Sequence, residues 1–469
     1  MNSLLPEEMQ AIDTNCRYFG LLPLQLMENA GAGLAREIEN FAVDKKIAIV
    51  AGKGNNGGDA FVAARHLSGF YITIYLLGRS RDISTCEAKK NWDILKSLNF
   101  EMMEIHDVED MHLHEHDLIL DAIFGTGVRG PIKGLEAQAI DAINTCQKPV
   151  VSVDSPSGIG TNKFVRSNLT VTFHRPKTGL SGEVKVVEIG IPSEAEFLVG
   201  PGDLALINNR SESSHKGDNG RILVIGGGAY TGAPALAGMA ALRSGADIAT
   251  IATPSRISNI VAGFSPNLIV KDLAGDHLSP KNLDVLMDLI PRYDVVVMGM
   301  GLGRDPETTE AISKIIPICN KVVIDADALL PDMPLKGIIT PHAGEFKRIS
   351  GISLPDPYQS NYSERIEPLK RYAKGLRLVA LLKGRVDLIT DGEIVRGNAT
   401  GNAGMTVGGT GDVLAGITAS FYSRTSALRA AVAAAFVNGR AGDLAQKEKD
   451  YGLVATDVIE KIPQAMMID

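Results

Sequence analysis

The chain has 469 residues and a formal net charge of −8. That length exceeds what one core ordinarily supports and implies two domains, while the acidic balance gives nucleic acid or an anionic membrane surface no electrostatic foothold. With 45% hydrophobic and 22% charged residues the composition is that of an ordinary soluble protein. Cys16, Cys86, Cys146 and Cys319 lie far apart with no metal-ligand spacing, and Glu7 and Glu8 stand where a secretory leader would need basic residues. A cytoplasmic protein is expected.

Residues 7–19 and 22–41 read as amphipathic helices. Residues 46–51 form a buried strand running into Gly52-Lys53-Gly54-Asn55-Asn56-Gly57-Gly58-Asp59, with a helix expected over 60–68. Strand, glycine-rich turn and helix together place phosphates at the carboxyl edge of a parallel sheet. The spacing is not GxGxxG, and the two Asn and the Asp add oxygens and amides. Two more strands end in acids with glycines close behind. Residues 116–121 end at Asp121 before Gly125-Thr126-Gly127-Val128-Arg129-Gly130-Pro131, and residues 149–154 end at Asp154 before Ser155-Pro156-Ser157-Gly158. One such acid would commonly be a loop cap. Three on one sheet edge make a site.

These stretches, with Thr172-Phe173-His174-Arg175-Pro176-Lys177-Thr178-Gly179-Leu180, resemble in order the signatures of the NAD(P)H-hydrate epimerase domain, over about residues 5–205. The resemblance implies a Rossmann-like three-layer domain whose Asn56, Asp121 and Ser157 bind K+. It also implies that Asn55, Asn56, Gly57, Gly58, Asp59, Gly125 to Pro131 and Asp154 line the pocket for the hydrated dinucleotide. Oxygens from Asn, Asp and Ser suit that cation. Inverting a hemiaminal carbon requires ring opening, or water loss and return, so a proton shuttle is needed. Asp154 is the expected base. The sequence departs from the family pattern at Ala60, where Gly is usual, and at Ser155, where a β-branched apolar residue is usual.

The pattern loosens into a polar stretch, Asn208-Asn209-Arg210-Ser211-Glu212-Ser213-Ser214, and the domain boundary is expected there, giving domains 1–209 and 210–469. Beyond it strands and helices alternate again, which argues for a doubly wound α/β domain. A small-residue helix is expected over 233–244. The strands end in Gly299-Met300-Gly301-Leu302-Gly303, Asp325-Ala326-Asp327, Thr340-Pro341-His342-Ala343-Gly344-Glu345 and Lys383-Gly384-Arg385-Val386-Asp387. Late in the chain, Gly401-Asn402-Ala403-Gly404-Met405-Thr406-Val407-Gly408-Gly409-Thr410-Gly411-Asp412 precedes an apolar helix. Amides at such a helix start bind phosphate. Asp412 would repel a phosphate, so it is either a helix cap or a base that deprotonates an attacking hydroxyl.

With His215-Lys216-Gly217, these motifs resemble the ribokinase-like superfamily, and more closely its ADP/ATP-dependent NAD(P)H-hydrate dehydratase branch, over about residues 211–465. The resemblance implies that Lys383, Gly384, Arg385, Val386, Asp387 and Gly411 contact the adenine nucleotide. Ala233, Gly301, His342 and Asp412 would contact the hydrate. Asp412 takes the proton of the substrate hydroxyl, which attacks ADP or ATP with Mg2+ on the phosphates and Glu345 helping through water. The phosphate ester then leaves and the dihydronicotinamide is restored. His342 as a helix cap and Lys383 as a solvated strand-end lysine are the bland alternatives.

The expected protein is a fused repair enzyme for R- and S-NADHX and NADPHX, assembling as a homo-oligomer and binding neither nucleic acid nor membrane. The alternative is a hydroxymethylpyrimidine-type kinase with a non-catalytic N-terminal nucleotide-binding domain. Neither ADP against ATP nor NADHX against NADPHX is decided by these motifs.

Overall fold

The computed structural model describes residues 3–42, 46–207, 210–331, 333, 335–355 and 362–468. The chain divides into two compact units, Met1–Ser193 and Glu194–Asp469.

In the first unit, strands β1 (Lys46–Ala51), β2 (Tyr71–Leu77), β3 (Glu101–Ile105), β4 (Leu118–Ala122), β5 (Val150–Val153), β6 (Leu169–Phe173) and β7 (Glu183–Val187) form one sheet in the order β3-β2-β1-β4-β5-β6-β7. Every pairing is parallel. The central strands are near-continuous apolar runs because helices cover both their faces. The chain winds outward from β1 to β3 and then returns to β4, so the strand order reverses between β1 and β4. A crevice opens at such a reversal, beyond the carboxyl ends of the strands.

The second unit carries β8 (Arg221–Ile225), β9 (Ile248–Pro254), β10 (Ile269–Leu273), β11 (Val295–Met298), β12 (Val322–Ile324), β13 (Ile338–Ile339), β14 (Val379–Leu382), β15 (Asp387–Thr390) and β16 (Val395–Asn398), in the order β10-β9-β8-β11-β12-β13-β14-β15-β16. It is parallel except where β15 pairs with β14 and β16, both antiparallel. Those strands are joined by tight turns at 383–386 and 391–394, too short for the crossover a parallel pair requires. The Asp391-Gly392 turn between apolar runs is a hairpin signal that the reading of a uniformly wound domain passed over. One sheet face is covered by the small-residue helices Gly232–Arg243, Thr410–Tyr422, Ala427–Lys449 and Ala455–Ala465. Gly416 lets two of them approach so closely that a Cβ there would lie 2.1 Å from the Ala237 carbonyl oxygen.

The boundary differs from the expected one. Residues 194–207 belong to the second unit, ahead of the polar stretch, whose Asn208 and Asn209 lie outside the described residues. The reason is packing. Arg396 Nη1 and Nη2 bind the two Asp203 carboxylate oxygens at 2.7 and 2.9 Å, Val199 N–H donates to the Gly397 carbonyl at 2.8 Å, and Phe197 stacks on Tyr362. These contacts tie residues 194–207 to the sheet edge at β16.

Candidate active sites

In the first unit the helix after β1 is Asn55–His66, beginning five residues before the expected start at residue 60. Asn55-Asn56-Gly57-Gly58-Asp59 is therefore the first turn of a helix rather than a loop. Its leading N–H groups have no intrahelical partner and form an anion-binding terminus. Gly57 packs against the Gly52 carbonyl and Gly58 against Met27 and Ala88, so neither can carry a side chain.

A cavity of about 680 Å3 opens at this crevice, the size of a small-molecule site. Asn55, Asn56, Asp59, Gly125, Thr126, Gly127, Val128 and Asp154 line it. Gly57 and Gly58 lie beneath it, and the exposed Arg129, Gly130 and Pro131 are outside its lining. Asp154 has φ of 61°, in the left-handed region that costs a non-glycine residue about 1–3 kcal/mol. Its N–H donates to the Val171 carbonyl at 2.7 Å, and Thr172 Oγ1 donates to its Oδ1 at 3.1 Å. Lys177 Nζ pairs with the same Oδ1 at 2.7 Å and donates to the Phe173 carbonyl at 2.7 Å. Lys177 is 4% exposed, and a charge so buried persists because it is paired. Asp59 is pushed well above the usual carboxylate range by burial and by Asp154 and Asp13.

Asp121 is fully buried. It accepts from Ser152 Oγ at 2.8 Å, Ser157 N at 2.9 Å and Ser157 Oγ at 2.5 Å. Burial pushes its carboxyl up, the Ser157 and Ser152 hydrogen bonds opposing. No cation among the described residues pairs with it. Ser157 Oγ also meets the Phe124 N–H and carbonyl. Next to Phe124, a Cβ at Gly125 would lie 3.4 Å from Asn56 Oδ1 and 3.7 Å from Asp154 Oδ2. The Asn56 amide nitrogen is buried without a hydrogen bond. A carboxylate without a cationic partner, a hydroxyl and the Asn56 carbonyl oxygen supply the oxygens that a monovalent cation takes, whereas the unengaged Asn56 nitrogen, a donor, would have to point away from it.

In the second unit Gly409, with φ of 99°, opens helix Thr410–Tyr422 and places Asp412 in its first turn. The Asp412 carboxyl makes no hydrogen bond among the described residues. Burial, aided by Asp325 and Asp327 and opposed by Lys383, pushes its carboxyl up to about 7. Lys383 Nζ lies 2.9 Å from Asp325 Oδ1 and 3.8 Å from Glu345 Oε2. Burial disfavours this ammonium, yet Asp325, Glu345 and Asp412 together push its pKa up. Gly411 leaves room for it, since a Cβ there would be 3.4 Å from Lys383 Nζ.

His342 caps helix Ala343–Ser350: its Nδ1 accepts from the N–H groups of Gly344 at 3.0 Å and Glu345 at 3.3 Å. The proton of a neutral ring is therefore on Nε2. His342 also bridges to Lys383 along the sheet edge, and Lys383 N–H donates to the Pro341 carbonyl at 2.8 Å. Gly301 abuts Ala233, and Gly303 N–H donates to Asp327 Oδ2 at 3.0 Å. Ala233, Gly301, His342, Lys383, Gly411 and Asp412 thus converge on the carboxyl ends of β8 and β11 to β14. Asp387 does not join them with its carboxylate, which accepts from Gly384 N–H and Asn398 Nδ2 at 2.9 Å each and closes the turn after Lys383. Burial raises that carboxyl to about 6. Gly384 and Arg385 are exposed and Val386 half-buried on this turn.

Three positioning residues escaped sequence reasoning. Asp443 holds the glycine-rich run from helix Ala427–Lys449, accepting from Gly401 N–H and Asn402 Nδ2 at 3.0 Å each. Asp247 accepts from the N–H groups of Gly217 at 2.8 Å and Asn219 at 3.1 Å. Lys177 stood within a quoted motif without a role. Nothing local separates these residues from ordinary surface charges; only their distant partners do.

Two α/β units, each gathering charged residues at the carboxyl edge of its sheet beside a helix N-terminus, define a two-site enzyme of the nucleotide-binding kind. A family model described as NAD(P)H-hydrate dehydratase matches residues 222–464, and one described as YjeF-related protein N-terminus matches residues 23–179. The chain is 45% identical to the bifunctional NAD(P)H-hydrate repair enzyme of Archaeoglobus fulgidus, covering 100% of this chain and 99% of that one. It is 41% identical to the enzyme so named from Methanothermobacter thermautotrophicus, covering 98% and 95%. It also resembles the solved structure of a ribokinase-like superfamily protein from Enterococcus faecalis V583, at 26% identity and TM-score 0.50, over 58% of this chain and 95% of that one. The chain belongs to the family of bifunctional NAD(P)H-hydrate repair enzymes.

Proposed function

We propose that the chain repairs hydrated nicotinamide cofactors at two sites. The first unit interconverts the R and S hydrates of NADH and NADPH. The second dehydrates the S form at the expense of ADP or ATP. Full-length likeness to enzymes of that name supports the overall activity. The observation that carries the chemistry is Asp412, an acid raised to about 7 beside Lys383 at a glycine-opened helix start.

A base with a pKa near the working pH takes a proton most effectively. Asp412 removes the proton of the substrate hydroxyl, and that oxygen attacks the terminal phosphoryl group. The free N–H groups of the helix's first turn and the Lys383 ammonium meet the charge on the transferring group. The terminal P–O bond of the nucleotide breaks to release AMP or ADP, and the ring nitrogen then expels the substrate oxygen as phosphate. The resulting iminium loses a proton from the adjacent ring carbon to restore the dihydronicotinamide. Lys383 faces two buried carboxylates, Asp325 and Glu345, and this acidic surplus suits Mg2+. Mg2+ bound with the nucleotide would neutralise phosphate charge there.

At the first site Asp154, oriented by Lys177 and Thr172, is the base that removes a proton from the hemiaminal. Asn56, Asp121 and Ser157 would hold K+, whose charge compensates the buried Asp121 carboxylate.

The test is to incubate the protein with mixed R- and S-NADHX plus ADP or ATP and follow the absorbance of reduced nicotinamide. Complete recovery is expected. Conversion that stops at the S share removes the epimerase reading. A stable phosphorylated product without reduced nicotinamide removes the dehydratase reading in favour of a kinase.

A further inference from the structure

By the ring-opening route, inverting a hemiaminal carbon moves two protons, one off oxygen and one onto nitrogen, whereas Asp154 accounts for one. A candidate for the second group lies on a helix to which the sequence pattern gives no function. On helix Pro6–Tyr18, Met9 and Asp13 are four residues apart, hence on one face, and both line the cavity that holds Asp154, Asp59 and Lys177. The Asp13 side chain makes no hydrogen bond or ion pair among the described residues, and the residue lines the cavity. The helix is also registered against the catalytic turn. Leu4 N–H donates to the Pro176 carbonyl at 2.9 Å and Thr178 N–H donates to the Leu4 carbonyl at 3.0 Å. The segment leading to Asp13 is thereby stitched to the residues flanking Lys177.

Resting on the epimerase reading of this site, we propose that Asp13 is a second proton-transfer residue, acting on the substrate together with Asp154. In ring opening, the hydroxyl proton passes to Asp154 and the oxygen's electron pair forms the carbonyl. The carbon–nitrogen bond breaks, its electron pair goes to nitrogen, and nitrogen takes a proton from Asp13. After rotation the nitrogen pair attacks the opposite face of the carbonyl carbon. The N–H proton returns to Asp13 and the oxygen regains its proton from Asp154. Atoms and electrons balance and nothing is oxidised.

Lys177 is less suited to supply the second proton, since two of its three N–H donors are engaged by Asp154 and the Phe173 carbonyl. Asp13 can supply it: the residue is exposed to the cavity, yet desolvation by the surrounding wall pushes its carboxyl up to about 6, with Lys177 opposing and Asp154 adding. The charged and titratable groups facing it are Asp154 after β5, Lys177 after β6 and Asp59 on helix Asn55–His66.

The experiment compares the full-length wild type with Asp13→Asn and Asp13→Glu, starting from R-NADHX and following the S epimer by chromatography. Dehydration of pure S-NADHX with ATP reports that the second unit is folded, and an unchanged KM for R-NADHX that the first is. For Asp13→Asn, kcat of epimerisation is expected to fall about 100-fold with KM within about threefold, and Asp13→Glu should restore part of the rate. Wild-type epimerisation should decline as pH rises through about 6, where Asp13 loses its proton, and Asp13→Asn should lack that decline. Wild-type kcat and an unchanged pH profile in Asp13→Asn overturn the inference while the epimerase reading stands. So does a loss of epimerisation and dehydration together, which means structural damage. A wild type that does not interconvert the epimers removes the epimerase reading and this inference with it.

Discussion

At the first site the strand-end acid, Asp154, lies 2.7 Å from a buried lysine, accepts from Thr172 and is held in a strained left-handed backbone. At the second, the Asp412 carboxyl has no hydrogen bond among the described residues and stands among Asp325 and Asp327, with Lys383 drawn toward other carboxylates. One acid is oriented by the protein, and the carboxyl of the other is pushed up to about 7 by burial and by Asp325. The difference follows from where the cation sits. Lys177 is engaged by the acid it orients, whereas Lys383 pairs with Asp325 at 2.9 Å and lies 3.8 Å from Glu345.

The comparison can be broken most sharply at the acid without a partner. Asp412→Asn is expected to lower kcat for dehydration about 1,000-fold while ADP and ATP affinity, read by calorimetry, stays within about threefold. Near-normal turnover would remove Asp412 as the base. At the oriented acid, Asp154→Asn should slow interconversion of the epimers about 100-fold or more. In an end-point assay that variant should leave most of the R hydrate while the S hydrate is consumed, and equal consumption of both would contradict the assignment.

A third prediction concerns the frame of the second unit. Replacing Asp203 by Ala leaves Arg396, which binds it through two nitrogens, partly buried without its anion. A loss of about 2 kcal/mol in unfolding free energy is expected. An unchanged denaturant midpoint would show that residues 194–207 are not anchored through this pair.

The smallest effect is in pH. Asp412 must be ionised to accept a proton, so dehydration should rise by about tenfold per pH unit below its pKa and level off above about 7. The stability sign is opposite. A carboxyl raised in the folded state contributes stability that is fully present below its unfolded pKa, near 3.8, and lost as pH rises through about 7. Asp412→Asn should therefore have a higher Tm than the wild type at pH 8, and a lower one would contradict the burial of its charge.

The strands that carry the sites were legible because buried parallel strands are continuous apolar runs, and β1, β4 and β5 end where their acids and glycines appear. The helix start at Asn55 was not, because Asn-Asn-Gly-Gly reads locally as a turn, and only packing of Gly57 and Gly58 beneath the crevice makes it helical. The domain boundary was misplaced for a similar reason. Polar composition marks the segment at 208–214, whereas the division is set by what residues 194–207 pack against.

By itself the sequence determined the α/β alternation, the family and the acids at the strand ends, since periodicity and motif order are written along the chain. Tertiary structure decided which charges meet. Asp13 and Lys177 stand more than 150 residues apart in the chain yet line one cavity. Asp443, Asp247 and the Lys383 cluster likewise acquire their roles from partners on other elements. A carboxylate's protonation depends on desolvation and on charges a few ångströms away, and neither quantity exists until the chain has folded.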